Sequence, residues 1–150
     1  MKERSQDVKK LEEASNSQKD NSFLKLNCYN KQMPKLNVLI AGSTGYIGVQ
    51  LIKLLIKHPD VKIKYLCGNS SVGKDISSYS QSLKSKKLPK IVKFKKSFLK
   101  VVDLIFTALP NGEAQEISKF LLKHNTLIDL AADFRLESAS EYLKWYKQKH

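Results

Sequence analysis

The sequence predicts an α/β fold in which helices cover both faces of a parallel sheet. Short apolar segments of strand length alternate along the chain with amphipathic segments of helix length. The first apolar segment, residues 38–41, runs directly into a loop with three glycines, and an amphipathic helix follows at once. Alternating strands and helices form parallel sheets with right-handed crossovers. The loops that follow the strands are therefore expected to meet at one edge of the sheet.

The predicted elements follow one another with short connections. Strands are expected at residues 35–41, 61–67, 91–94, 101–108 and 126–130, and helices at 46–57, 113–124 and 137–149. Residues 75–90 are rich in serine and lysine and predict an irregular surface excursion. The first helix stops before Pro59, because proline disfavours helix at the residue preceding it.

Apolar periodicity also predicts which side chains of these elements face the core. These side chains are Ile47, Leu51, Leu54 and Leu55 in the first helix, Ile117, Phe120 and Leu121 in the second, and Val61, Ile63 and Tyr65 in the second strand. The lysines at 62 and 64 are expected on the opposite face of that strand. The last helix carries the aromatic side chains Tyr142, Trp145 and Tyr146.

Composition separates a disordered N-terminal extension, residues 1–33, from one folded domain, residues 34–150. The net charge is +13, but the excess is lysine, and Arg4 and Arg135 are the chain's arginines. Base recognition usually relies on arginine, so the charge argues against a nucleic-acid partner. Apolar segments are too short for a membrane span, and no secretory signal or paired-cysteine motif is evident. A cytoplasmic protein is expected.

The glycine loop is the strongest functional signal in the sequence. Its spacing is G-x-x-G-x-x-G between a strand and a helix, which is typical of a Rossmann-like dinucleotide-binding fold. Glycines let the backbone approach a pyrophosphate, and the helix N-terminus offers unpaired N–H groups. The predicted cofactor-binding residues here are Gly42, Ser43, Thr44, Gly45, Tyr46, Ile47 and Gly48. The alternative is a tight turn packed on its own sheet.

The loop after the second strand bears on the choice of cofactor. NAD-selective folds usually place a carboxylate there to hold the ribose hydroxyls, whereas residues 65–71 contain none. Ser70, Ser71 and Lys74 suit a 2′-phosphate, so NADP is favoured and NAD stays possible. The alternative is a neutral surface turn.

Two further strand ends carry candidate site residues. Leu109 and Pro110 lie either against the cofactor or at a simple strand stop. Arg135 faces either an anionic substrate or a neighbouring domain, or it forms a local brace with Asp133. Cys67 has no nearby histidine in the sequence, so a core or loop role is favoured over nucleophilic catalysis. No residue is assigned a catalytic role, and the three histidines suggest no metal site.

With these residues identified, the chain resembles the N-terminal part of the N-acetyl-gamma-glutamyl-phosphate reductase family, within the semialdehyde dehydrogenases. The resemblance covers residues 35–146. It rests on the glycine loop, Leu-Leu-Ile-Lys-His-Pro at 54–59, Ser-Ser-Val-Gly-Lys at 70–74, Phe-Thr-Ala-Leu-Pro-Asn-Gly at 106–112, Ile-Asp-Leu-Ala-Ala-Asp-Phe-Arg-Leu at 128–136 and Tyr-Leu-Lys-Trp-Tyr at 142–146. The run ending in Asp-Phe-Arg-Leu is the most specific.

The resemblance implies reduction of an acyl phosphate to an aldehyde by NADPH through a cysteine thioester, in arginine biosynthesis. It implies that residues 42–48 bind the cofactor diphosphate and that Ser70 and Ser71 serve the 2′-phosphate. Many family members have arginine where Asn69 stands, which weakens the inference of NADP selectivity. They often have serine where Ala131 stands, which is a mild change.

The family's nucleophile lies in a Gly-Cys-Tyr-Pro-Thr motif beyond the matched stretch. This chain lacks that motif, so it is expected to be a truncated cofactor-binding portion, inactive alone. Its expected partners are the catalytic and dimerisation domain that family members carry, or further copies of itself, and in the complete enzyme an acyl-phosphate substrate. Alternatives are a related aspartate-semialdehyde or aminoadipyl-phosphate reductase, or a non-enzymatic nucleotide- or nucleic-acid-binding module.

Overall fold

The computed structural model describes residues 34–150, which form a five-stranded parallel sheet with the order β3-β2-β1-β4-β5. The strands are β1 (Leu36–Ala41), β2 (Val61–Cys67), β3 (Ile91–Val92), β4 (Leu104–Thr107) and β5 (Thr126–Asp129). The helices are α1 (Tyr46–Leu55), α2 (Glu113–Ser118) and α3 (Ala139–Tyr146). The predicted Rossmann-like fold is confirmed. The extension predicted for residues 1–33 lies outside the described residues.

The central strand β1 is buried on both faces. Val38 and Ile40 point into the core beneath α1, whereas Leu39 and Ala41 point into the core beneath α2 and a 3₁₀ helix, Lys96–Val101. Such two-sided burial explains why β1 is apolar throughout its second half. None of the helices in residues 34–150 is both long enough and apolar enough to cross a lipid bilayer.

A bulge in β2 overturns the predicted face of Tyr65. The pairing of β1 with β2 shifts after Val38, so that Lys64 has no partner in the register. Val61 and Ile63 pack in the core beneath α1, but Tyr65 lies on the other face, where its ring stacks on Phe98 at 4.0 Å. Strict alternation was therefore the wrong expectation, because one extra residue reverses every later side chain.

The buried face of α1 also differs from the prediction. Leu51 and Leu55 do pack against the core, but Ile47 is 49% exposed and Leu54 is 69% exposed. The residues that α1 buries are Gly48, Val49 and Ile52. Because Gly48 has no side chain, the helix settles closely onto the glycine loop, and this contact selects the stripe facing the sheet.

The second predicted helix is shorter than expected. α2 ends at Ser118, and the chain then turns through 3₁₀-type bonds into Asn125. The Asn125 side chain accepts from the N–H of Leu122 and donates to the carbonyls of Leu99 and Val102. These contacts tie the turn to the neighbouring 3₁₀ helix, and Phe120 stays 37% exposed rather than inward.

Two other segments differ in detail from their predictions. Residues 75–90 are irregular, as expected, but two short 3₁₀ helices there bury Ile76 and Leu83 in the core, so the segment is more than a surface excursion. In α3, Tyr142 is fully buried whereas Trp145 is 66% exposed. The Ser138 hydroxyl accepts from the N–H of Glu141 and caps this helix.

Candidate functional site

A cavity of about 430 Å³ opens at the carboxyl edge of the sheet. Parallel α/β sheets bind ligands at this edge. The cavity is lined by the ends of β1, β2, β3 and β4 and by α2, through Ala41, Gly42, Thr44, Cys67, Gly68, Asn69, Lys93, Phe94, Leu109, Pro110, Glu113, Glu116 and Ile117. The loops that follow β1, β2, β3 and β4 therefore meet at this edge as predicted, whereas the loop that follows β5 does not line the cavity.

Gly42 and Gly48 are required by the fold of the glycine loop itself. Gly42 has φ +81°, and a Cβ there would lie 2.1 Å from the carbonyl oxygen of Ala108. A Cβ on Gly48 would lie 2.2 Å from the carbonyl oxygen of Gly42. Real Cβ atoms do not approach so closely, so glycine at both positions serves the close packing of β1, β4 and α1.

Gly45 is different, because the fold has room for a side chain there. Its Cβ would meet one atom, the carbonyl oxygen of Gly42, at an ordinary 3.5 Å. Gly45 is exposed and occupies the N-cap of α1, with φ −70° and no side-chain cap. The N–H groups of the first helical turn consequently point outward without a side-chain acceptor from the cap residue.

The remaining residues of the loop divide by their exposure. Ser43 is fully buried, and its hydroxyl and backbone N–H both donate to the carbonyl of Cys67. Its side chain thus holds the loop on β2. Thr44 lines the cavity, whereas Tyr46 and Ile47 are 82% and 49% exposed at the start of α1.

The two serines of the loop after β2 do not line the cavity. Ser70 is exposed, and Ser71 is buried with its hydroxyl accepting from Tyr79 at 2.7 Å. Gly68 and Asn69, which precede the serines, do line the cavity. A role for Ser70 and Ser71 toward a 2′-phosphate stays a prediction.

Apolar side chains form part of the cavity lining. Leu109 and Pro110, both predicted from the sequence, line the cavity together with Phe94 and Ile117. The cavity is also lined by three charged residues that were not predicted from the sequence, Lys93, Glu113 and Glu116. The sequence could have indicated Lys93, because this residue comes directly after a short strand and the candidate site lies at the strand ends.

Asp133 holds the beginning of α2, a helix that lines the cavity. Its carboxylate accepts from the N–H groups of Gly112, Ala114 and Gln115, and from the Tyr142 hydroxyl at 2.6 Å. The side chain is fully buried, yet it satisfies the donors at the start of α2, which stabilises a helix N-terminus. Burial raises the pKa of Asp133, but the hydrogen bonds from Tyr142, Gly112 and Gln115 outweigh it and hold the pKa below 3.8.

Arg135 neither pairs with Asp133 nor reaches the glycine-loop cavity. Its guanidinium donates to the carbonyl of Ala131 at 2.8 Å, so the proposed local brace with Asp133 was wrong. Arg135 lines a separate cavity beside β5, together with Leu127, Asp129, Leu130, Ala131 and Phe134. Its proposed contact with an anionic substrate or another domain stays a prediction.

Cys67 has the properties of a core residue. It is 3% exposed, and burial raises the pKa of its thiol from 9.0 to about 12. A cysteine nucleophile reacts as the thiolate, which this environment disfavours. The structure therefore agrees with the core or loop role favoured by the sequence.

The shifted thiol predicts a loss of stability at alkaline pH. Unfolded Cys67 ionises near 9.0, whereas the folded thiol stays protonated until about 12. The folded-state advantage is complete below 9.0 and is lost as the pH rises toward 12, at about 1.4 kcal/mol per pH unit. Urea unfolding of the wild type and of Cys67→Ala across this window measures it. Equal slopes for the two proteins would contradict the assignment.

Comparison with known proteins agrees with this geometry. Residues 37–145 match the family model described as semialdehyde dehydrogenase, NAD binding domain. The chain belongs to this family. The family description is that of a domain that binds a nicotinamide cofactor.

Individual relatives of this semialdehyde dehydrogenase domain are reductases. The chain is 41% identical over 116 residues to an N-acetyl-gamma-glutamyl-phosphate reductase of Ehrlichia ruminantium (strain Gardel), covering 75% of this chain and 33% of the relative. It is 35% identical over 115 residues to a probable chloroplastic enzyme of that name from Arabidopsis thaliana, covering 77% and 29%. The chain thus spans about a third of the length of the curated relatives it matches.

Two solved structures resemble the domain. Aspartate semialdehyde dehydrogenase with NADP from Candida albicans matches with a TM-score of 0.55 and 26% identity, over 70% of this chain and 32% of that one. Myo-inositol 2-dehydrogenase from Lactobacillus plantarum matches with a TM-score of 0.50 and 19% identity, over 75% and 33%. The second likeness shows the fold alone.

Proposed function

We propose that this chain is the cofactor-binding domain of an N-acetyl-gamma-glutamyl-phosphate reductase, and that it holds NADPH for reduction of the acyl phosphate to the semialdehyde. The observation that carries the proposal is the cavity beside the uncapped N-terminus of α1. The reductases at 41% and 35% identity support the choice of substrate. The product, N-acetyl-glutamate semialdehyde, belongs to arginine biosynthesis.

The residues present fit a dinucleotide. The open backbone at Gly45 and the N–H groups of the first turn of α1 suit a diphosphate, because a helix N-terminus attracts negative charge. Leu109, Pro110 and Phe94 offer apolar surface for a flat ring. When bound, the reduced nicotinamide supplies a hydride.

The preference for NADP rests on the end of β2. Asn69 lines the cavity where NAD-selective folds carry a carboxylate that holds the ribose hydroxyls. An amide does not repel a 2′-phosphate, so the phosphorylated cofactor is accepted. Tighter binding of NADH than of NADPH in the titrations below would instead indicate NAD as the cofactor.

The acyl-transfer step requires residues outside 34–150. A thioester mechanism needs an ionisable thiol, and burial holds Cys67 protonated up to a pH of about 12. We place the nucleophile in the part of the relatives' length that this chain does not span, or in a partner chain that supplies it. The cytoplasmic location expected from the sequence stays a prediction, since the Arabidopsis thaliana relative is described as chloroplastic.

Calorimetric titration of the full chain with NADPH and NADH tests the cofactor role. We expect saturable binding of NADPH. Absence of binding for both dinucleotides would contradict the proposal. A chimera that joins the chain to the remaining part of the Ehrlichia ruminantium relative tests the reaction, and we expect it to reduce N-acetyl-gamma-glutamyl phosphate, whereas the chain alone does not.

Gly45→Ser separates cofactor binding from folding. Serine is a preferred N-cap residue, and its Cβ meets the Gly42 carbonyl at an ordinary 3.5 Å, so the variant should be as stable as the wild type or up to about 1 kcal/mol more stable. The added side chain occupies the approach of the diphosphate and competes for the N–H groups of α1. We expect at least roughly tenfold weaker NADPH binding, which corresponds to about 1.4 kcal/mol.

Thermal unfolding and calorimetry of the same preparation measure both effects of Gly45→Ser. Gln50→Ser is the matched control, since Gln50 is exposed on α1 beyond the first turn. Unchanged NADPH affinity in Gly45→Ser would show that the diphosphate does not lie on this helix end.

A further inference from the structure

Strand pairing brings a lysine to the cavity at the carboxyl edge of the sheet. β2 pairs with β3 in the register Cys67 to Val92, and the N–H of Gly68 donates to the carbonyl of Val92 at 3.1 Å. The next residue on each strand therefore lies alongside its neighbour at the carboxyl edge. Lys93 is thus adjacent to Gly68, and both Lys93 and Asn69 line the cavity.

Lys74, the cation favoured by the sequence, lies in a different place. Its carbonyl accepts from the N–H of Ile91, which sets its backbone beside the beginning of β3 rather than at the carboxyl edge. Lys74 is not part of the cavity lining. The positive charge that reaches the cavity from this side is therefore carried by Lys93.

The ammonium group of Lys93 is available for an anion. Within residues 34–150, the ion pair that the structure contains joins Lys119 to Glu116, and no carboxylate lies within 4.0 Å of Lys93. The carboxylates on the cavity, Glu113 and Glu116, belong to α2. This helix follows β4 in the chain, and β4 lies on the other side of β1 from β2 and β3. The β2–β3 side of the cavity is thus cationic and its α2 side is acidic.

We propose that Lys93 is the specificity residue for the cofactor, because it recognises a phosphate on the adenosine ribose and so selects the phosphorylated dinucleotide. This inference rests on the proposed cofactor-binding function and adds to it the residue that distinguishes NADP from NAD. A charge-assisted hydrogen bond from the ammonium to a phosphate oxygen supplies the discrimination.

The test compares ligands that differ in the 2′-phosphate alone. Adenosine 2′,5′-bisphosphate and adenosine 5′-monophosphate are titrated into the full-length wild type and into Lys93→Gln. We expect the variant to bind the bisphosphate on the order of 10- to 100-fold more weakly, with affinity for the monophosphate within about twofold of wild type. Lys93→Arg should retain much of the discrimination.

Two matched variants identify the source of any change. Lys95→Gln removes an exposed lysine two residues further on, outside the cavity lining, and should leave the ratio of the two affinities unchanged. Lys74→Gln should also leave it unchanged. Since all three lysines are exposed, thermal unfolding should be the same for every variant.

Results that contradict the role of Lys93 can be told apart from results that contradict cofactor binding. The role of Lys93 would be refuted by an unchanged ratio of the two affinities in Lys93→Gln, by an equal loss for both ligands, or by a changed ratio in Lys74→Gln. These three outcomes would leave the proposed cofactor binding intact. A wild type that prefers the monophosphate would refute the role of Lys93 as well. A wild type that binds neither these ligands nor NADPH and NADH would refute the cofactor-binding function itself, and this inference with it.

Discussion

Replacing Gly42 with alanine is expected to destabilise the domain by on the order of 4 kcal/mol, a large part of the roughly 5–15 kcal/mol that typically stabilises a domain. The backbone at Gly42 has φ +81°, which costs a residue with a Cβ about 1–2 kcal/mol. The Cβ would also lie 2.1 Å from the carbonyl oxygen of Ala108 and 2.7 Å from its carbonyl carbon.

The clash at Gly42 cannot relax locally. The N–H of Ala108 donates to the carbonyl of Ala41 at 2.9 Å, which holds the end of β4 against the end of β1. Moving the Ala108 carbonyl away would shift the backbone directly next to this bond between the two central strands. Because the neighbour is backbone rather than the end of a flexible side chain, the strain passes into the sheet.

Gly73→Ala is the matched control for Gly42→Ala. Gly73 has almost the same backbone angle, φ +84°, but nothing lies within 4 Å of its Cβ position. This variant should lose only about 1–2 kcal/mol, from the backbone angle alone. Urea unfolding followed by circular dichroism compares the two free energies of unfolding. Equal losses would show that the close approach of β4 to the glycine loop is not essential.

Asp133→Ala is expected to destabilise the domain by on the order of 3–5 kcal/mol. The substitution leaves the N–H groups of Gly112, Ala114 and Gln115 and the hydroxyl of Tyr142 without their acceptor. Each unsatisfied buried donor costs about 1–3 kcal/mol, and the costs add incompletely because the donors share one carboxylate.

Graded variants test the network around Asp133. Asp133→Asn keeps one acceptor oxygen but turns an amide NH₂ toward other donors, so its loss should lie between those of the alanine variant and of Tyr142→Phe. Tyr142→Phe removes one bond and should cost about 1–2 kcal/mol. Asp75→Ala, at an exposed aspartate whose side chain caps nothing, should stay within about 0.5 kcal/mol of wild type. Chemical unfolding ranks the four variants, and a loss in Asp133→Ala no larger than in Asp75→Ala would refute the network.

The network also predicts how stability depends on pH at the acid end. The pKa of Asp133 is lower in the folded protein than its ordinary value of 3.8. Its stabilising contribution is therefore complete above 3.8 and is lost as the pH falls through the lower folded value. Asp133→Asn should show a flatter acid limb than wild type. Identical acid limbs would contradict the lowered pKa.

Asp133 shows how far the sequence alone reaches. The Ala-Asp-Phe-Arg run marked this segment as the most specific of the resemblance, and its position after a strand was predicted correctly. The contacts of the Asp133 side chain were not predicted. One alternative paired Asp133 with Arg135, two residues away, whereas its hydrogen-bond partners lie 9 to 21 residues away, at the start of α2 and in α3.

Local patterns of apolar and glycine residues were sufficient for the fold class, the order of strands and helices, and the position of the glycine loop at the edge of the sheet. These features depend on the periodicity of short segments, which the sequence displays directly. Other features came only from the tertiary structure, because contacts between distant segments decide them. The packing of Gly48 on Gly42 determines the buried face of α1, and a bulge at Lys64 places Tyr65 on the other face of the sheet. The pairing of β2 with β3 brings Lys93 rather than Lys74 to the cavity.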